Sequence, residues 1–205
     1  MRVAILNYGM GNLTSATRAF EHVGASVDLT DDHSRVREAD AVVLPGVGAF
    51  PRAMQAVRRL GLDELVRERH DAGVPILGIC LGMQLLFDSS TELGGAEGIG
   101  LLRGTVEPLD GAGLKIPQIG WNDVLFRREK QLGRGLGEKA AMYHVHSFAV
   151  KPADPDVIAG TATYGNEFVS AVEQDNIFGV QFHPEKSSRD GLQLLQNFVN
   201  VGVRV

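Results

Sequence analysis

One short stretch constrains this chain more than any other. In Val74-Pro75-Ile76-Leu77-Gly78-Ile79-Cys80-Leu81-Gly82-Met83-Gln84 an apolar run breaks into a Gly-x-Cys-x-Gly turn that carries the only cysteine of the 205 residues. Ile76 to Ile79 predicts a short buried strand and Met83 to Phe87 the opening of a helix. A strand that turns this tightly into a helix leaves no room for side chains beside the central residue, which is lifted out of the core. A helix N-terminus also stabilises negative charge on sulfur, and the thiolate is the reactive form of cysteine. The backbone amide of Leu81 is then placed to hold a developing oxyanion. A buried, inert cysteine is the competing reading of the same residue.

The length suits a single domain spanning residues 1–205 with a full hydrophobic core. With 44% hydrophobic and 22% charged residues the composition is that of a globular protein. The net charge is −5 and no run of Lys or Arg exceeds two residues, so neither nucleic acid nor an anionic membrane is an expected partner. A lone cysteine excludes an internal disulfide and a cysteine metal cluster. The opening Met1-Arg2-Val3-Ala4-Ile5-Leu6 is too short for the apolar core of a signal peptide, and a cytoplasmic setting is expected.

Val3 to Leu6 is a continuous apolar run of the kind found in strands covered on both faces. A helix with Leu13, Ala16, Phe20 and Val23 on one face follows, stopped by Gly24, and Ser26 to Leu29 alternates as a second strand. Such a βαβ unit implies a parallel sheet, so the expected architecture is a doubly wound, flavodoxin-like α/β fold with helices on both sides. Gly9-x-Gly11, with Asp28 and Asp31 beyond it, imitates a dinucleotide fingerprint, but Thr14 stands where a third glycine is needed. Ala41 to Leu44 is a third strand. It ends in Pro45-Gly46-Val47-Gly48-Ala49-Phe50-Pro51, a glycine-rich loop at the end of the sheet where such folds bind ligands. Val47 or Gly48 could supply a second oxyanion amide.

Helices are expected at Met54 to Leu60 and Leu62 to Ala72, and loops from Asp88 to Gly104. Beyond Val106 the pattern turns to short strands at 121–126, 141–145, 157–162, 168–173 and 177–182, read as additional, partly antiparallel sheet of the same domain. Gly191 to Val201 is the last helix. Just before it, in Gln181-Phe182-His183-Pro184-Glu185-Lys186, His183 and Glu185 stand two apart on an extended segment and point the same way. Nucleophilic catalysis needs a thiol, an imidazole and a group that fixes the imidazole, and Cys80, His183 and Glu185 supply all three. His146 is the competing base, but it has no carboxylate two residues away. Outside these residues no cluster has metal-ligand spacing, so neither metal nor cofactor is expected.

Pro45-Gly46-Val47-Gly48-Ala49-Phe50, Gly78-Ile79-Cys80-Leu81-Gly82-Met83-Gln84 and Gln181-Phe182-His183-Pro184-Glu185-Lys186-Ser187 resemble the three signatures of class I, triad-type glutamine amidotransferases. More narrowly, Asn7-Tyr8-Gly9-Met10-Gly11-Asn12, the methionine of Cys80-Leu81-Gly82-Met83-Gln84, Gly120-Trp121-Asn122 and Tyr143-x-Val145-His146-Ser147 resemble the glutaminase subunits of imidazole glycerol phosphate synthase. The resemblance runs from Val3 to Phe198. It implies that Cys80 attacks L-glutamine through a thioester, with His183 and Glu185 as base and orienting carboxylate. It further implies that Gln84 and Glu92 contact the substrate and that His146 and Ser147 hold its amino-acid end. Ammonia would pass to a separate TIM-barrel cyclase subunit in a heterodimer serving histidine synthesis, with Asn12, Trp121, Tyr143 and Lys186 toward that partner.

Gln118, His144 and Phe148 depart from the residues usual in that family, where His, an aromatic and Tyr are common, and the departures are expected at the mouth and docking face. Glutaminase subunits of other synthases usually carry His where Met83 stands. A stand-alone cysteine hydrolase of the same fold, and a non-enzymatic nucleotide-binding or flavodoxin-like module, are the remaining alternatives. The last would leave Cys80, His183 and Glu185 without a role.

Overall fold

Period-two alternation divides the strands between two helical layers, and this division builds the molecule. A computed structural model describes residues 1–201. In β1 (Arg2–Leu6), Val3 and Ile5 pack with Ala16 and Phe20 of α1 (Leu13–His22), while Ala4 and Leu6 face the opposite layer. Next come β2 (Ser26–Thr30), the single-turn α2 (His33–Arg37) and β3 (Ala41–Gly46). The apolar face of α3 (Phe50–Arg59) and that of α4 (Leu62–Asp71) close the second layer over Ala4, Leu6, Val42 and Leu44. β4 (Ile76–Cys80) is buried throughout and runs directly into α5 (Leu81–Leu85).

After α5 the chain makes β5 (Phe87–Ser90), β6 (Ala96–Glu97), β7 (Leu102–Pro108), β8 (Gln118–Phe126) and β9 (Lys139–His146). β10 (Phe148–Pro152), β11 (Ile158–Tyr164), β12 (Asn166–Gln174) and β13 (Ile177–Val180) follow, and α6 (Ser188–Val201) lies against α1, with Phe20 and Phe198 edge to face. One sheet takes in all thirteen strands, in the order β2-β1-β3-β4-β13-β12-β10-β7-β5-β6, with β11, β8 and β9 branching from β12. The run from β2 to β13 is wholly parallel, and it is the part flanked by helices. The antiparallel strands expected beyond Val106 join it through β12. The doubly wound α/β core is as expected.

Several elements differ from the sequence expectation: α3 begins at Phe50 rather than Met54, α6 begins at Ser188 rather than Gly191, and β10 was not expected. Residues 88–104, read as loops, contain β6, most of β5 and the start of β7. Leu86 and Phe87, read as helix, leave α5 after five residues because Phe87 already pairs with Leu102 across β5 and β7. The sequence reading also passed over α2, whose N-cap Asp32 accepts from the amide of Ser34 at 2.8 Å.

Candidate active site

Cys80 ends β4 at φ 55° and ψ −114°, a conformation costly for a residue with a side chain. Its neighbours make that turn possible. A Cβ on Gly82 would land on the carbonyl oxygen of Leu44, and one on Gly78 would lie 2.6 Å from the backbone of Met83. Only glycine lets β3, β4 and α5 approach this closely, so the Gly-x-Cys-x-Gly pattern has a steric origin. Cys80 is left 6% exposed at the C-terminal edge of the sheet, next to the loop that follows β3.

The imidazole comes from the neighbouring strand. β13 runs parallel to β4 with Val180 opposite Ile79, so the chain beyond β13 passes the cysteine within a few residues. His183 Nδ1 lies 2.9 Å from Glu185 Oε1, both side chains being almost fully buried. A second set of bonds fixes the histidine backbone. The His183 amide donates to Tyr143 O at 2.9 Å, the Tyr143 amide donates to Ser187 Oγ at 3.0 Å, and that hydroxyl donates to His183 O at 2.6 Å. Burial works against a charge on the ring, but hydrogen bonds to Cys80 and Glu185, with the charges of both, push the His183 pKa up to about 10. The imidazole thus lies between the Cys80 sulfur and the Glu185 carboxyl, which together favour its protonated form over the neutral one. Burial, with the charge of Cys80 adding, pushes the Tyr8 phenol far above its usual range, and its hydroxyl donates to Pro45 O at 2.5 Å.

A cavity of about 330 Å³ opens over the sulfur. Val47, Gly48, Leu81, Gln84 and Glu92 line one part of it; His146, Ser147, His183 and Lys186 line another. It thus gathers the expected oxyanion and substrate residues around Cys80. Gln84 Nε2 donates to Phe148 O at 3.1 Å and to Gln181 Oε1 at 3.0 Å. Glu92 Oε2 accepts from the amide of Phe50 at 2.7 Å, so its carboxylate also caps α3. His146 lies in the wall with Nδ1 2.8 Å from Phe148 O and Nε2 2.9 Å from Gln118 Oε1, which leaves neither nitrogen free to act as a base. Burial lowers its pKa to about 4.

The four residues expected to face a partner separate into two places. The indole of Trp121 meets the Tyr143 ring edge on at 6.0 Å, and Lys186 Nζ stands 5.9 Å from the same ring. Lys186 of this group also lines the cavity. Asn12 lies instead behind the imidazole, sharing a space of about 10 Å³ with Glu185 and Gly46, and caps no helix amide with its side chain. Two of the three departures are buried beneath the site, and the third, Phe148 of β10, lines the cavity. His144 is fully buried, with Nε2 2.8 Å from Ser170 Oγ and its ring against Phe168 and Phe182; Gln118 is buried against His146; the Phe148 carbonyl receives Gln84. β8 and β9 turn alternate residues inward, which places Gln118, His144 and His146 beneath the site.

Sequence reasoning missed two residues that hold this geometry. Ser187 pins the histidine loop, and Gln181 reaches the sulfur with Nε2 at 3.7 Å. Both stand in the same run as His183, and the signal for Gln181 was register: once β4 and β13 pair in parallel, it falls opposite the cysteine. Gly9 and Gly11, the imitation fingerprint, belong to the loop that carries Met10 toward Gly48. Among the described residues no group of three His, Cys, Asp or Glu could hold a metal ion, and no helix is long and apolar enough to cross a membrane.

An elbow cysteine at the edge of a doubly wound sheet, with a histidine and a glutamate from the adjacent strand, places the molecule in a known class. The chain belongs to the class I glutamine amidotransferase family, whose model matches residues 4–201. Among curated relatives it is similar to the imidazole glycerol phosphate synthase subunit HisH of Moorella thermoacetica, with 48% identity over 96% of this chain and 93% of that one. It is 47% identical to the subunit of the same name from Aquifex aeolicus, over 97% of this chain and 96% of the relative. In fold it matches a structure of PurLQS from Thermotoga maritima with a TM-score of 0.77 at 20% identity, covering 98% of each chain.

Proposed function

We propose that this chain is the glutaminase subunit of an imidazole glycerol phosphate synthase, hydrolysing glutamine to glutamate and ammonia for histidine synthesis. The observation that carries this is that Cys80 and His183 share one cavity, with Glu185 bonded to the imidazole from behind, on a chain nearly half identical to subunits of that name. The Cys80 thiolate adds to the side-chain amide carbon, and the carbonyl electron pair moves onto oxygen. The amides of Leu81 and of Val47 or Gly48 hold that oxyanion. As the C–N bond breaks, His183 gives its proton to the nitrogen and ammonia leaves a thioester. Water, deprotonated by the now neutral imidazole, adds to the thioester carbon, and collapse expels the thiolate and yields glutamate. Glu185 keeps the imidazole oriented throughout and stabilises it whenever it carries the proton. Gln84, Glu92 and the His146-Ser147 segment are positioned around the space the amino acid would fill.

The partner in this proposal is a separate TIM-barrel cyclase. Ile119, Trp121 and Leu125 are 63%, 56% and 46% exposed on one face of β8, beside Lys186 at the cavity mouth. Large apolar side chains in a row on a strand, next to the site that releases ammonia, suit a docking face. The continuous sheet supports taking residues 1–205 as one glutaminase domain, and a reaction that depends on a free thiol suits the cytoplasm. The test is glutamate release from glutamine by the purified chain, alone and with a cyclase subunit and its ribulosyl ligand. Strong stimulation by the cyclase is expected. Full activity alone, unchanged by the cyclase, would indicate an independent hydrolase instead.

A further inference from the structure

Gln181 lies just beyond β13 and is completely buried, with its Nε2 3.7 Å from the sulfur of Cys80 and its Oε1 3.0 Å from Gln84 Nε2. An amide side chain can present either a donor or an acceptor, and here a backbone carbonyl decides. The oxygen of Phe148 can only accept, so the Gln84 nitrogen must be the atom 3.1 Å from it. That nitrogen is also the atom facing Gln181, so Gln181 turns its oxygen to Gln84 and its N–H to the sulfur. The orientation is anchored at the main chain and passed through two amides. A donor aimed at sulfur favours thiolate over thiol, because hydrogen bonds to a charged acceptor are about twice as strong as neutral ones.

We propose that Gln181 is a positioning residue for the glutaminase reaction, donating Nε2–H to the Cys80 thiolate and holding the sulfur toward the cavity, with Gln84 fixing which way the amide faces. This deepens the function proposed above and rests on it for the role of Cys80. It also gives Gln84 a second task, since a residue positioned to touch substrate is the one that locks the amide against the nucleophile. Other groups face the sulfur too: the Val145 carbonyl at 3.8 Å, Tyr8 from the loop after β1 and His183 beyond β13, while His146, Lys186 and Glu92 line the same cavity and Glu185 bonds to the imidazole. A substitution at position 181 leaves all of them in place.

The lone cysteine makes the measurement clean, because alkylation of the chain by iodoacetamide reads one thiol. Gln181→Met keeps the bulk and removes the donor. The expected result is an alkylation rate about tenfold lower at neutral pH, with the limiting rate at high pH retained. Gln181→Glu, which sets an oxygen against the sulfur, should lower it further. Superimposable rate profiles in folded variants would overturn the inference. Should the variants not fold, the native chain labelled with ¹⁵N-glutamine carries the test: the Gln181 side-chain amide signal should move with the same midpoint as alkylation and stop moving once Cys80 is alkylated. An amide signal indifferent to the thiol's titration would equally overturn it. None of these readouts requires glutamine hydrolysis. A chain that releases glutamate with unchanged profiles removes the role of Gln181 alone, and a chain that never releases glutamate removes the glutaminase function.

Discussion

The backbone of Cys80 stores strain in order to aim a sulfur atom, and the residues around it show what that aim requires. A conformation at φ 55° and ψ −114° costs about 1–3 kcal/mol and persists because Gly78 and Gly82 let three elements cross beside it. The three proposed catalytic residues differ in how replaceable they are. Cys80→Ala should abolish glutamate release, because nothing else in the cavity can form a thioester. His183→Ala should come close to that, since His146 has both ring nitrogens occupied and cannot substitute. Glu185→Ala should reduce release less than His183→Ala, because the imidazole also keeps its bond to Cys80 and its loop stays pinned by Ser187. Steady-state glutamate release by the three variants, with the cyclase present, checks the order. Persistent hydrolysis in Cys80→Ala would sink the mechanism. At this scale much of the site was legible in the sequence, because glycine spacing and a His-x-Glu pair are local signals, although the pair was expected on extended chain and Glu185 instead lies in a 3-10 turn, Pro184–Lys186, that begins after His183. Gln181 and Ser187 act across strand pairs, and a contact between distant segments leaves no local spacing to read.

At the scale of elements, two side chains join pieces that are far apart in sequence. Glu92 sits in a turn after β5 and caps α3, 42 residues earlier, through the amide of Phe50. Glu92→Ala should therefore destabilise the fold by about 0.5–2 kcal/mol, as other lost caps do, and also raise KM for glutamine if the carboxylate meets substrate. Denaturant unfolding and kinetics on the same variant separate the two effects; loss of neither would assign Glu92 no role. Trp121 lies 56% exposed on β8, so little of its surface contributes to the core. Trp121→Ala should leave the melting temperature within about 2 °C while weakening cyclase binding by at least tenfold, as truncating a buried interface anchor does. Titration calorimetry reads the second number directly. The elements that were misread share a cause. β5 and β6 are short and mostly polar and are flanked by Gly94, Gly95 and Gly98, a loop-like composition, although Gly98 must be glycine to pass close to the carbonyl of Phe87. α2 is a single capped turn, too short to show a helical period.

Across the whole molecule, acid stability is set under the active site rather than on the surface. Burial lowers the pKa of His144 to about 3 and that of His146 to about 4, with neighbouring imidazoles adding to the effect. In the unfolded chain both would titrate near 6.5, so between that value and about 4 the unfolded state binds protons that the folded state does not. The contribution of these two histidines is then complete above pH 6.5 and falls as the pH drops toward 4, on the order of 2 kcal/mol per histidine by pH 5. His144→Phe keeps an aromatic between Phe168 and Phe182 and should lose less stability than the native chain on going from pH 7 to pH 5. Urea unfolding at the two pH values gives the comparison, and equal losses would refute it. The parallel core was readable because its strands are apolar on both faces and its helices are periodic. The branch of β11, β8 and β9 from β12 was not, because partner choice among similar antiparallel strands depends on packing over the whole sheet.

β13 slots between β4 and β12, and this order has a temporal consequence. The cysteine leaves the ribosome about a hundred residues before its base, on a strand whose neighbour on that side has yet to be made. During that interval the thiol has no imidazole, no Gln181 and no closed cavity. On the proposed mechanism, the nascent chain thus carries a nucleophile that stays unarmed until the sheet is filled, and its reactivity arrives together with the completed fold.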